Sequence, residues 1–312
     1  LFALGNTDDA ALSFQQAIEK DPVNEQFWTN YLFALNFSPS ASQKFVFQAN
    51  RRWAAFLEQG KQDPPFKNDL TPYRRLRVAY FLPELDKHVT ARYLDAMLEY
   101  HNRDEFEVMV YGFAENPGSA PISLLNHIDG WIDIGHMNID LVAEKMRRDR
   151  IDILLHPCTF KARYRTIIAY NAAPIQIACI NLVSTTGLRN TTHLMTDKFL
   201  TPPGEMEEFY TENLIRLSGL NVYRKPTAAP DVSPLPANHN DFVVFGSFNN
   251  PAKLTPECIS LWTEVLLQVP SCRLLLKHKS FESAELCESF SAQFKKAGIS
   301  DERLIFQGYS LG

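Results

Sequence analysis

From residue 76 onward, short apolar runs of strand length alternate with stretches of helical periodicity. "LRVAYFL" (76–82) is followed by the amphipathic "VTARYLDAMLEY" (89–100), then "FEVMVYGF" (106–113). "GWIDI" (130–134), "IDLVAEKMRRDR" (139–150) and "IDILLH" (151–156) repeat strand, helix, strand. "TIIAYNAA" then leads into "PIQIACINLV". After the Pro/Ala/Asn-rich "TAAPDVSPLPANHN" (227–240), the pattern restarts with "DFVVFGSF", "TPECISLWTEVLLQV", "SCRLLLKH", "ESAELCESFSAQFKKAG" and "RLIFQG". Strands alternating with helices predict βαβ units around a parallel sheet, hence an α/β fold. Two such units are expected, and the three strands of the second make half of a doubly wound sheet. Such folds take ligands beyond the C-terminal ends of their strands, so a cleft between the two units is the expected site.

The first 75 residues carry helical patterning alone. Ala10, Phe14 and Ala17 fall on one face, and Pro22 ends that helix. Trp28, Tyr31, Leu32 and Leu35 open a second helix. The small-large-small face resembles a tetratricopeptide repeat, although an ordinary helical hairpin has the same spacing. A repeat pair cannot bury its face alone, so further repeats are expected upstream. "SQKFVFQANRRWAAFLEQ" forms another amphipathic helix, and "GKQDPPFKNDLTPYRR" reads as a connector. The expected organisation is repeat helices over 1–38, linker helix and connector over 39–73, and a Rossmann-like lobe over 74–226. A linker over 227–240 and a partial second lobe over 241–312 complete it.

Charge and composition narrow the function. A net charge of −5 disfavours a general nucleic-acid or anionic-membrane binder, which needs surplus positive charge. The five cysteines include no C-x-x-C pair and read as reduced thiols of a cytoplasmic chain. The most apolar stretch, residues 166–183, is interrupted by Asn171, Pro174, Gln176 and Asn181, which argues against a membrane span. No G-x-G-x-x-G, Walker or G-x-S-x-G motif occurs, and no metal-ligand spacing is present.

Three loops at strand ends carry candidate chemistry. His88 stands immediately before the helix at 89–100, where a helix N-terminus favours the neutral imidazole that a general base needs. From the residues alone, a surface loop histidine is the preferred reading. "HPCTFKARYR" (156–165) sets Thr159, Lys161, Arg163 and Arg165 after a strand, as an anion-binding loop or a solvated charge run. In "FGSFNNPAKLTPE" (245–257), Asn249, Asn250 and Lys253 precede a helix start. Free N–H groups there attract anions, and one ammonium beside them would help neutralise a diphosphate. From these residues alone, an Asn-rich turn with a solvated lysine is the preferred reading.

Taken in order, "RLRVAYFLPELDKHVT", "FEVMVYGF", "AAPIQI", "TDKFLTPPGEMEEFYTENLIRLSG", "FGSFNNPAKLTPE", "LWTEVLLQVPSCRLLLKHKSF" and "AGISDERLIFQG" resemble the protein O-linked N-acetylglucosaminyltransferase family. That family includes bacterial members and the plant SPINDLY proteins. The resemblance runs through nearly the whole chain. It implies a two-lobed GT-B glycosyltransferase, metal-independent and without a cofactor, with the nucleotide sugar between the lobes. The implied reaction is inverting transfer of N-acetylglucosamine from UDP-N-acetylglucosamine to Ser or Thr of proteins presented by the repeats. His88 matches a proposed base near the acceptor, and Lys253 the lysine that contacts the donor diphosphate. Asn250 sits at a donor-contacting amide. "NLVSTTG" (181–187) keeps only the end of a glycine-rich turn, making Thr185, Thr186 and Gly187 substrate-binding candidates beside Thr159 and Asn249. Cys158 and Val89 stand where the family usually has a Tyr or His and a Pro. A second glycine-rich block of the family has no counterpart in these residues, so the chain alone is expected to transfer little. Relatives that use GDP-fucose or UDP-glucose, and a non-catalytic repeat scaffold, are the alternatives that this resemblance leaves open.

Overall fold

The structure, a computed structural model, describes residues 1–61, 63, 65–71, 73–82, 96–113, 125–157, 162–179, 184–220 and 229–309. The chain divides into two compact units. One comprises Ala17–Asn36 and Ala41–Pro226; the other comprises Leu1–Gln16, Phe37–Ser40 and Thr227–Gly312. The helical N-terminal segment is thus shared between the two, a partition that no linear boundary expresses.

The larger unit holds a seven-stranded parallel sheet. Its strands are β1 (Leu76–Leu82), β2 (Phe106–Gly112), β3 (Gly130–Asp133), β4 (Ile153–His156), β5 (Ile175–Ala178), β6 (His193–Asp197) and β7 (Asn213–Leu217). Their spatial order is β3-β2-β1-β4-β5-β6-β7. The chain moves outward from β1 to β3, returns beside β1 with β4, and then proceeds the other way. The order reverses between β1 and β4, and such a switch point opens a crevice at the strands' C-terminal ends. From Val78 to Leu82 β1 is apolar and buried because both of its faces are covered, as parallel sheets require. Val78, Tyr80 and Leu82 join Leu98, Val108, Val110, Leu155 and Cys179 in one core, while Ala79 and Phe81 are buried on the opposite face.

Helices α2 (Glu25–Leu35) and α3 (Gln43–Glu58) belong to this unit. Asn24 caps α2 by accepting from the amides of Gln26 and Phe27, and Ser42 caps α3 by accepting from Phe45 N. Trp28 of α2 stacks on Trp53 of α3 with ring centroids 5.2 Å apart. Helices α4 (Ile139–Arg148) and α5 (Ala162–Ile168) pack together, and α5 also meets α2.

The smaller unit holds β8 (Val244–Ser247), β9 (Arg273–Lys277) and β10 (Leu304–Gln307), parallel and in the order β10-β9-β8. Helices α6 (Pro256–Gln268) and α7 (Ala284–Lys296) bury Ile259, Leu266, Leu286, Phe290 and Phe294 against Leu274 and Leu276. Most of α1 (Thr7–Lys20) also belongs here; Ala10 is buried and Phe14 half-buried. The expected α/β class with two parallel sheets is observed.

Candidate functional site

In the smaller unit the chain leaves β8 at Ser247 and turns through Phe248, Asn249 and Asn250 into a single 3-10 turn, Pro251–Lys253. Asn250 caps that turn, its Oδ1 accepting from Ala252 N at 3.1 Å. Thr255 then caps α6 by accepting from Cys258 N, and Pro256 occupies the first helical position, where no amide is needed. Two tight caps in succession fix the backbone over residues 250–258. Pro251 and Ala252 are buried, and the turn rests against the segment Phe2–Leu4, with Gly5 facing the Pro251 carbonyl. Lys253 itself is exposed, and its ammonium lies 3.4 Å from the Asn249 Oδ1. The arrangement is a rigid turn at a strand's C-terminal end with one cation on its outer side. Asn249 and Lys253, two of the residues expected at the site, are therefore neighbours. The third, Asn250, uses its side-chain oxygen to hold the turn.

In the larger unit, considered by itself, the candidate residues follow the ends of β1, β4 and β5. β1 ends at Leu82; His88 lies outside the described residues, as does Thr159 beyond β4. His156, the last residue of β4, is fully buried, and its Nε2 lies 3.2 Å from Thr191 Oγ1. Burial pushes its pKa down to about 4, and the nearby Arg165 charge adds to that effect. Arg165 corrects one expectation. It is not a solvent-facing anion ligand but a fully buried guanidinium. Its Nη2 donates to Asn50 Oδ1 at 2.7 Å and to the Thr186 carbonyl at 2.5 Å.

Thr185, Thr186 and Gly187 are buried as well. Both threonine hydroxyls donate to the carboxylate of Glu212, which also accepts from Thr186 N at 2.7 Å. Gly187 has a positive φ of 71°, and a Cβ there would sit 2.7 Å from the Asn50 carbonyl carbon and oxygen. Arg51 donates to the Gly187 carbonyl at 2.7 Å, and Arg189 N donates to Glu58 at 2.6 Å. Glu212, Asn50 and Arg51 escaped sequence reasoning. Their long-range partners lie between 26 and 136 residues away, and no spacing rule reaches that far.

Among the described residues no group of three His, Cys, Asp or Glu side chains could hold a metal ion. No described helix is long and apolar enough to cross a membrane. Cys179 and Cys272 are buried thiols, whereas Cys258 and Cys287 are half-buried.

Comparison with known proteins adds the following. The model of glycosyl transferase family 41 matches residues 57–220. The chain is 30% identical over 292 residues to a protein of Petunia hybrida named "Probable UDP-N-acetylglucosamine--peptide N-acetylglucosaminyltransferase SPINDLY". That alignment covers 91% of this chain and 31% of the relative. An Arabidopsis thaliana protein with the same description, but called SEC, is 26% identical over 75% of the chain and 25% of its own length. The chain thus spans about a third of the length of the SPINDLY relatives it matches. Among solved structures, a mutant O-GlcNAc transferase of Thermobaculum terrenum superposes with a TM-score of 0.89. It is 28% identical, and the match covers 100% of this chain and 60% of that one.

Proposed function

The chain belongs to glycosyl transferase family 41, and from that premise we propose that the full gene product is an inverting protein glycosyltransferase. It moves N-acetylglucosamine from UDP-N-acetylglucosamine onto Ser or Thr side chains. The names of the relatives support the donor and the peptide acceptor. The single observation that carries the reading is the placement of Lys253. It is an exposed cation on a doubly capped turn just past the C-terminal end of a parallel strand.

In the proposed reaction the acceptor hydroxyl attacks the anomeric carbon from the face opposite the diphosphate. The bond between that carbon and the phosphate oxygen breaks, and UDP leaves with the bonding pair. Lys253 offsets the negative charge building on the diphosphate, and its turn is already ordered, so little reorganisation is needed. Asn249, which shares the ammonium, orients it. His88 accepts the hydroxyl proton. Support for that role is topological, because His88 follows β1, one of the two strands flanking the reversal of strand order. Thr159 follows β4, the other strand. The helices of residues 1–38 belong, in this reading, to a repeat array that presents the protein acceptor. No step calls for a metal or cofactor, and the cytoplasm is the proposed compartment.

Lys253→Ala in the full gene product tests this. Transfer should fall about 100-fold or more, the scale seen when a preorganised charge stabiliser is removed. Fold should be retained, because Lys253 is exposed. Wild-type turnover by that variant would refute the assigned role. Competition by UDP but not GDP would support the donor; the reverse would keep the enzyme class and change the sugar nucleotide.

A further inference from the structure

Thr185, Thr186 and Gly187 sit where the family resemblance implies contact with substrate, yet their polar groups are already spoken for. Thr185 Oγ1 donates to Glu212 at 2.6 Å and accepts from Gly187 N at 3.0 Å and Thr211 N at 3.2 Å. Thr186 Oγ1 donates to Glu212 and accepts from Leu188 N at 3.1 Å. A hydroxyl has one proton and two lone pairs, so the Thr185 hydroxyl is saturated and the Thr186 hydroxyl has committed its proton. The Gly187 carbonyl accepts from Arg51.

We infer that residues 185–188 serve the reaction through their position, and that helix α3 sets that position with Asn50 as the central positioning residue. This rests on the glycosyltransferase reading above. Asn50, Arg51 and Glu58 are spaced by about two helical turns on α3. From these points the helix reaches the segment by three routes. Asn50 holds Arg165, which grips the Thr186 carbonyl. Arg51 binds the Gly187 carbonyl, and Glu58 binds Arg189 N. Gly187 lies directly against the α3 backbone, a closeness only glycine permits.

Two buried charges make the arrangement exacting. The Arg165 guanidinium holds the carbonyl of Thr186, and the Glu212 carboxylate holds the amide and hydroxyl of the same residue. Thr186 is therefore clamped between opposite charges that are both out of water. Loss of a hydrogen-bond acceptor leaves a buried guanidinium short of a partner, a large penalty that moves the clamped segment. Asn50 is itself tied to α3, donating to the Val46 carbonyl at 2.9 Å.

The test compares Asn50→Leu with Asn50→Asp in the full gene product. UDP-N-acetylglucosamine serves as donor and a Ser/Thr peptide library as acceptor. Asn50→Leu removes the acceptor oxygen; Asn50→Asp keeps it. Asn50→Leu should lower kcat about tenfold or more while the KM for the donor stays within about twofold, because misplacement by a fraction of an ångström affects the chemical step first. Asn50→Asp should recover kcat to within about threefold, since the guanidinium keeps its partner. An unchanged kcat in Asn50→Leu, a raised KM at constant kcat, or failure of Asn50→Asp to recover activity would each overturn the inference. Hydrogen exchange separates it from the functional reading. If the wild-type protein transfers nothing, that reading falls, and faster amide exchange at residues 185–188 in Asn50→Leu still upholds the positioning role. Unchanged exchange there would end it.

Discussion

His156 shows how one side chain ties pH to stability at the end of a strand. It is fully buried, held by Thr191, with its pKa lowered to about 4 from an ordinary 6.5. The folded protein keeps the imidazole neutral, while the unfolded chain protonates it as the pH drops below 6.5. Its contribution is therefore complete above pH 6.5 and is lost progressively as the pH falls toward 4. Across that window the loss is on the order of 3 kcal/mol. His156→Gln should flatten the stability curve between these limits, as measured by urea midpoints at a series of pH values. Equal slopes in both proteins would show that the ring titrates normally. Burial raises the pKa of Asp129 and Asp152, but hydrogen bonds from Val108 N and Arg75 to the first, and from Arg74 and Arg77 N to the second, hold both below the usual carboxylate range. The stability they contribute therefore persists through that window and is lost only at more acid pH. At this scale the sequence was legible where chemistry is local. Lys253, Asn249 and the caps at Asn250 and Thr255 all lie within a few positions of their partners. The clamp of Asn50, Arg165, Thr186 and Glu212 was not legible, because its four members are scattered from α3 to just before β7.

Elements followed the periodicity wherever they were long and apolar. β1 runs over the expected residues 76–82, and β2 ends one residue earlier than its apolar run. β6 and β7 escaped notice for a physical reason. "HLMTD" and "NLIRL" are five residues each and mix polar with apolar positions. They become strands because the sheet offers them pairing partners, not because they prefer the conformation. The sheet edge at β8 carries a prediction of its own. Among the described residues β8 pairs with β9 alone, and Val244, Phe245 and Phe248 are exposed. A bare apolar edge invites strand addition from another molecule. Val244→Thr combined with Phe248→Ser should raise the monomeric fraction of the 312-residue chain, read by light scattering across a concentration series. An association constant unchanged by both substitutions would place the sticky surface elsewhere.

At the scale of the molecule, the division into two units sets how the chain should unfold. The larger unit has its core around β1, β2 and β4; the smaller has its own around α6, α7 and β9. Two cores with separate hydrophobic clusters need not melt together, and multi-unit chains commonly depart from two-state behaviour. The sequence announced two α/β segments through the Pro-rich stretch at 227–240. It did not announce that residues 1–16 and 37–40 join the second, since that grouping arises from packing between distant segments. Two substitutions can address the units separately. Gly187→Ala forces a residue with a Cβ into a left-handed conformation against the Asn50 backbone, at a cost of about 2–4 kcal/mol. Phe294→Ala empties a fully buried site beneath the second sheet, at about 3–5 kcal/mol. In calorimetry the wild-type chain should show two transitions, with Gly187→Ala lowering one midpoint and Phe294→Ala the other. The physical basis is that Gly187 and Phe294 belong to different units, each with its own core. A single transition lowered by both would mean that the two cores fold as one cooperative body. Loosening at Gly187 would then be felt at the Lys253 turn, and the variants could not be read as local.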